Sequence, residues 1–409
     1  MPFDLSYMGT KRHLADDVSS IIRQAPDGPV LDAFSGMCAV GMAVGSARSV
    51  WNNDVQKFAF SVANCLFVSQ EAPPDQKTVA HHLYRYFTEN RAVLQERYER
   101  QIATASRLLQ PRSAFLTKAY ERITSPTSAI GGAKCEERSG RRSNAHFPYT
   151  LFVETYSDTY FGLEQCVEID SVVYGIDRLV ELSLLSTEGR TWLLLALGQT
   201  MKSIATTTGH FAQFLEPSEK TINRHVQQRK RSVWNEFVDN VAKNLPVGSK
   251  PWRSTNRVFN ADSVALVENF QSQSDVPRVI YADPPYTEDQ YSRYYHILET
   301  LMLYDYPEVR SKARYRRERY STAFSMKARV VQAFESLVSG TARIGADLIL
   351  SYPAEGLLHR TGANPRDVLA KHYRRVEVCS RIEHEHSTFG ASKGSATAPV
   401  TEIIYWAKG

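Results

Sequence analysis

Strand-forming runs occur at both ends of this chain, and a long helical stretch separates them. Near the start, a helical pattern in "LADDVSSIIRQA" is followed by "GPVLDAFSGMCAVGMAVG" and then by "SVWNNDVQKFAFSVANCLFVS", which reads as helix, strand, turn into helix, strand, helix. That alternation is expected of a parallel sheet covered by helices. Toward the other end, "PRVIYADPP", "ADLILSYP", "RRVEVCSRIEHEH" and "VTEIIYWAKG" are four more strand-like runs, the last two expected to pair antiparallel at an edge. Residues 76–254 instead carry helical stretches such as "HHLYRYFTENRAVLQERYERQIATASRLL" and "TEGRTWLLLALGQTMKSIA", an insertion far too long for a connector. The pattern predicts an α/β fold in which residues 1–75 and 255–409 close around one sheet while 76–254 form a second, mostly helical module.

Composition narrows the classes of function. With 409 residues, 43% of them apolar and 23% charged, the chain can bury a core and is not of the disordered type. The five cysteines are scattered without a CxxC, so neither a disulfide framework nor a structural zinc site is expected. The opening "MPFDLSYMGTKRHL" has no apolar leader and no run of 18 apolar residues follows, which predicts a cytoplasmic protein without a membrane partner. A net charge of +5 is mild, but the basic residues cluster. The run "RSKARYRRERYS" at 310–321 holds five Arg and one Lys against one Glu, and "QQRKRSVW" and "EERSGRRSNAH" add to it. Three such clusters favour a polyanionic partner, because each phosphate contact releases counterions. Arg310, Lys312, Arg314, Arg316, Arg317 and Arg319 are the candidate phosphate contacts.

The chemistry concentrates at strand ends. In "VLDAFSGMCAVG" an apolar strand ends at Asp32, a turn holds Gly36, and a helix follows, so backbone amides can approach a ligand closely. Asp54, at the end of the next strand, stands where an acidic residue would accept hydrogen bonds from ribose hydroxyls; Asn53 or Asp54 could equally cap the following helix. "VIYADPPYT" ends a third strand with Asp283, Pro284, Pro285 and Tyr286. Proline fixes φ and has no N–H, so the Asp283 carboxylate and the Pro284 carbonyl become rigid acceptors with no competing donor beside them. Two such acceptors suit one amino group, and Tyr286 offers a flat face for a base to stack on. An exocyclic amine is a poor nucleophile because its lone pair is delocalised into the ring. Hydrogen bonds from its two N–H groups favour a pyramidal nitrogen and free the lone pair for in-line attack on an activated methyl group, with no metal required.

In this order, "YMGTKRHL", "LDAFSGMCAVG", "NND", "DPPY" and "TEDQYSRYYHILETLMLYDYP" resemble the D12 class of adenine-specific DNA methyltransferases, in the arrangement of its alpha group. The resemblance implies a Rossmann-like sheet that uses S-adenosylmethionine (SAM), a helical target-recognition insertion, and double-stranded DNA as substrate. A monomer working near the nucleoid in restriction-modification or phage-related defence is expected, with a cognate restriction endonuclease as a candidate partner. Tyr7, Met8, Gly9 and Lys11 fall where the class lines its cofactor pocket. Asp32, Phe34 and Gly36 match its glycine turn, Asp54 its ribose acceptor, and Asp262 in "VFNADSVAL" its acidic position near the cofactor adenine; a helix cap is the other reading of Asp262. Asp283, Pro284, Pro285 and Tyr286 match its catalytic motif. One departure is Cys38, in "FSGMC", where the class has a second glycine; a side chain there narrows the pocket or shifts the backbone.

A duplex hides N6 in the stack, so the adenine must flip out, at a cost of roughly a few kcal/mol. "TTTGHFAQF" at 206–214, with His210, is the candidate recognition loop, and an ordinary helix-to-loop junction is the alternative. His384 and His386 in "EHEH" share a strand face but have no third ligand at metal spacing, so no metal is assigned. RNA adenine or cytosine-N4 methylation, and a catalytically silent nucleic-acid-binding module of the same fold, are the rival readings.

Overall fold

The computed structural model describes residue 3 and residues 14–109, 146–241, 243–387 and 397–409. The chain divides into two compact units. A sheet unit contains Ser6–Gln70, Pro246–Ser292 and Tyr320–Gly409; a helical unit contains Met1–Leu5, Glu71–Leu245 and Arg293–Arg319.

Nine strands form among the described residues: β1 (Val30–Asp32), β2 (Val50–Asn53), β3 (Arg257–Phe259), β4 (Val279–Ala282), β5 (Val309–Arg310), β6 (Tyr315–Arg316), β7 (Asp347–Pro353), β8 (Arg375–Ser387) and β9 (Thr397–Lys408). Seven of them make one sheet in the order β3-β2-β1-β4-β7-β9-β8. β3 through β7 run parallel, and β9 joins antiparallel to both β7 and β8. This is an α/β architecture, a mostly parallel sheet packed with helices. β1, β2, β4 and β7 are buried at every residue, so none of them alternates apolar with exposed polar positions. Leu31, Ile280 and Leu348 pack against Leu266 and Phe270 of helix Ser263–Phe270 and against Phe334 and Leu337 of helix Val330–Arg343 in one core. The order reverses direction between β1 and β4, a switch point at which α/β sheets open a crevice beyond their strand ends.

The helical unit is built from capped helices. Asp75 accepts from the Lys77 and Thr78 amides to start helix Gln76–Arg97, and Ser186 accepts from Gly189 to start Thr187–Ile204. Helix Leu163–Glu181 is buried along most of its length, Asp170 included. Asp170 accepts from the Phe152 and Val153 amides, both at 2.9 Å, and from the Tyr304 hydroxyl at 2.6 Å, which satisfies orphan donors at the start of helix Leu151–Tyr156. The basic run after residue 309 folds here as the antiparallel hairpin β5–β6. No helix among the described residues is long and apolar enough to cross a membrane.

Candidate active site

β1, β2, β3 and β4 are parallel, so the turns after them all leave the same edge of the sheet. Asp32, Phe34 and Gly36 from the end of β1 and its turn, Asp54 after β2, Asp262 after β3, and Asp283, Pro284, Pro285 and Tyr286 after β4 line a single open cleft. The glycine turn is held from both sides. Ala33 donates to Tyr281 at 2.9 Å, Ser35 to Asn53 at 2.9 Å, and the Gly36 amide to Asp54 Oδ2 at 3.0 Å, with Gly36 in the left-handed region at φ +48°. Cys38 is buried and also left-handed, at φ +59°, ψ +32°. The backbone therefore keeps a conformation that favours glycine, at a steric cost of about 1–2 kcal/mol. Asn53 is a strut between strand ends: its side-chain amide donates to Ala33 and Ala261 carbonyls, both at 3.1 Å, and accepts from the Ala261 amide at 3.2 Å.

Residues 208–347 match the family model of the D12 class N6 adenine-specific DNA methyltransferases. That segment contains Asp262 and the Asp283–Tyr286 motif and leaves the glycine turn outside it. Through this segment the chain is similar to the D12 class. It is 26% identical over 282 residues to modification methylase LlaI of Lactococcus lactis subsp. lactis, covering 66% of this chain and 41% of that protein. Type II methyltransferase M.FokI of Planomicrobium okeanokoites is 28% identical over 200 residues, 49% of this chain and 27% of the relative. Type II methyltransferase M.NlaIII of Neisseria lactamica is 31% identical over 192 residues, 44% of this chain and 51% of the relative. The chain thus spans about half or less of the length of these three relatives.

Electrostatics separate the carboxylates of this cleft. Its described lining holds four, Asp32, Asp54, Asp262 and Asp283, and no Lys, Arg or His. Asp54 accepts from the Gly36 amide and, at 2.8 Å, from the Gln56 amide. Asp262 caps helix Ser263–Phe270 through the Val264 and Ala265 amides and also accepts from the Tyr320 hydroxyl, so the capping reading of its sequence is realised at the cleft wall. Asp32, only 4% exposed, accepts from the Phe34 amide at a long 3.3 Å. Burial pushes its carboxyl up to about 8; the Phe34 hydrogen bond opposes the rise, and the charges of Asp283 and Asp54 add to it. Burial, then Asp32 and Asp54, likewise raises the Cys38 thiol, and burial with Asp283 and Asp32 raises the Tyr281 phenol. A lining of this sign suits a cationic ligand.

Several cleft residues carried no motif of their own. Gln290 pairs with the Thr322 backbone in both directions, at 3.2 and 2.8 Å, and Ser292 Oγ donates to the Tyr320 carbonyl at 2.7 Å. Gln290 and Ser292 follow the proline motif directly and could have been suspected from position, whereas Tyr320 and Thr322 lie beyond the basic run with no local signal. Tyr7, Met8, Gly9 and Lys11 lie outside the described residues.

The basic run belongs to the helical unit, and its members differ. Arg316 is buried, with both terminal nitrogens 2.6 Å from Asp305. Arg317 and Arg310 pair with Glu308 at 2.6 and 3.8 Å, Lys312 pairs with Glu216, Arg319 lies over the Tyr315 ring at 5.5 Å, and Arg314 sits in the hairpin turn at φ +57°. In the 206–214 loop Phe211 is buried and its carbonyl accepts from Tyr160 at 2.7 Å, while Thr208, Gly209 and Gln213 are exposed and His210 stacks edge-on against Tyr294. His384 and His386 fall on β8, and no group of three metal-ligating side chains occurs among the described residues.

Proposed function

We propose that this chain transfers a methyl group from SAM to the N6 amine of an adenine flipped out of double-stranded DNA, as the site-specific methyltransferase of a restriction-modification system. The observation that carries this reading is the cleft itself, where a glycine turn after β1 and the Asp-Pro-Pro-Tyr motif after β4 share one wall. SAM supplies an electrophilic methyl group on a sulfonium, and the anionic lining suits its positive charge. Gly36 and Phe34 form the floor beside the cofactor, Asp54 and Asp262 offer remaining lone pairs to it, and Tyr7, Met8, Gly9 and Lys11 are, by the family resemblance, further cofactor contacts. Asp283 and the Pro284 carbonyl each accept one N–H of the target amine, Pro285 keeps the motif rigid, and Tyr286 stacks the base.

Residues 76–254 read the target sequence, with 206–214 among the contacts, and Arg310, Lys312, Arg314, Arg317 and Arg319 hold phosphates. Arg316 belongs to this group by position, and its pairing with Asp305 makes it the member that holds the hairpin. The enzyme acts as a cytoplasmic monomer on the nucleoid, alongside a cognate endonuclease.

Incubating the protein with methyl-labelled SAM and mixed-sequence duplex DNA, then hydrolysing the DNA, tests the reading. Label in N6-methyladenine is expected. Label only in N4-methylcytosine, or only in RNA offered in parallel, would reassign the substrate, and SAM-independent DNA binding with no label would point to a silent module.

A further inference from the structure

Residues 283–291, between β4 and helix Ser292–Leu303, belong to neither a helix nor a strand, so the sheet ladder stops holding the chain at Ala282, just before the proline motif. The chain leaves the sheet unit after Ser292 and re-enters it at Tyr320, and residues 320–322 are equally irregular. Side chains join these two segments where a ladder cannot. Gln290 Nε2 donates to the Thr322 carbonyl at 3.2 Å and Gln290 Oε1 accepts from the Thr322 amide at 2.8 Å, so one carboxamide satisfies both backbone groups of a buried residue. Ser292 Oγ donates to the Tyr320 carbonyl at 2.7 Å, and Ser325 Oγ donates to the Asp289 carbonyl at 3.0 Å. Tyr320 in turn gives its hydroxyl to Asp262 after β3. Gln290, Ser292, Tyr320 and Thr322 all line the cleft. Among these clamps Gln290 alone supplies a donor and an acceptor together, in the manner of a peptide group.

We propose that Gln290 is a positioning residue for methyl transfer: by pinning the segment after Tyr286 to Thr322, it fixes where Asp283 and the Pro284 carbonyl present their acceptors. This rests on the reading of Asp-Pro-Pro-Tyr as the motif that holds the target amine. Gln290 acts through the backbone of the motif rather than on the reacting atoms. Placement matters steeply, since a shift of about 1 Å at a reacting group costs on the order of 10²-fold in rate. The glycine turn has its own supports, from Ser35 to Asn53 and from Gly36 to Asp54, so loss of the Gln290 clamp falls on transfer and spares cofactor affinity.

The test compares the full-length wild type with Gln290→Met, which keeps the length of the side chain and removes both hydrogen bonds. The rate of label transfer from methyl-labelled SAM to mixed-sequence duplex DNA, at saturating SAM, should fall by about 10²-fold. The SAM dissociation constant from calorimetry should stay within a few-fold of wild type. A second variant carries a pH signature. In Gln290→Glu the carboxylate still accepts from the Thr322 amide but sets an anion against the Thr322 carbonyl, and protonation restores a donor there. Its rate relative to wild type should rise by about tenfold as pH falls from 8 to 5, while the same ratio for Gln290→Met stays flat. A Gln290→Met rate close to wild type, or an equal loss of rate and SAM affinity, overturns the positioning role while leaving the reading of the motif intact. Should Gln290→Met not fold, Gln290→Glu decides, and a ratio that does not change with pH overturns the role. A wild type that binds SAM and labels no DNA overturns the motif reading, and this inference with it.

Discussion

Asp32 in the sheet unit and Asp170 in the helical unit are both buried carboxyls, yet their surroundings differ. Asp170 is fully enclosed and accepts from two helix-start amides and a phenol. Burial raises its carboxyl to about 7 while those three bonds pull it back. Asp32 rises to about 8 with one weak bond, and it borders a cleft rather than packed side chains. The helical unit uses a buried carboxyl as a strut, with its donors supplied by the fold. The sheet unit leaves its carboxyl short of donors at the point where a ligand would arrive. Hydrogen-bond supply, more than depth of burial, separates architecture from chemistry here.

The largest expected effect lies within the cleft. Asp283→Ala should lower the methylation rate by about 10³-fold, since it removes one of the two acceptors for the amine, while SAM affinity stays within a few-fold. Single-turnover transfer and calorimetry check the two halves; an unchanged rate would refute the assigned role. On the other side of the comparison, Asp170→Ala should cost about 3 kcal/mol in chemical unfolding by stranding the buried donors it now satisfies, with SAM affinity unaltered.

The pH dependence sharpens the contrast. Both carboxyls are raised in the folded protein, so their contribution to stability is fully present below the unfolded carboxylate range near pH 4. It is lost as pH rises through about 7 for Asp170 and about 8 for Asp32. Asp32→Asn should therefore stabilise the cofactor-free protein on the order of 2 kcal/mol at pH 8.5 and have little effect at pH 4. Thermal melts at the two pH values measure this. The smallest effect separates the cations of the β5–β6 hairpin. Arg317→Ala should leave the melting temperature unchanged and reduce the salt slope of DNA binding by about 1, whereas Arg316→Ala should lower the melting temperature.

The fold was legible where burial is uniform. β4 is apolar throughout and β1, β2 and β7 each carry an apolar stretch, and the β8–β9 edge pair forms from the final two strand-like segments as expected. β3 is three residues long and half-exposed, so its signal was weak. Asp32 ends β1, Gly36 lies in the turn after it, and Asp54 and Asp283 directly follow β2 and β4, so each could be found from a strand end. Their partners could not: the Tyr320 hydroxyl that reaches Asp262 comes from 58 residues away, after an excursion whose Tyr304 bonds Asp170 in the helical unit. Arg316 read as a phosphate contact because its local sequence is basic, and only the hairpin brings Asp305 against it. Side-chain partners set by long-range folding leave no local pattern to read.

The most direct test of the central claim is a crystal structure of the protein with SAM bound. The account predicts the cofactor in the cleft beside Gly36, with its sulfonium methyl directed toward the Asp283 carboxylate and the Pro284 carbonyl. SAM bound elsewhere, or the Asp283 side chain turned away from the methyl group, would contradict it.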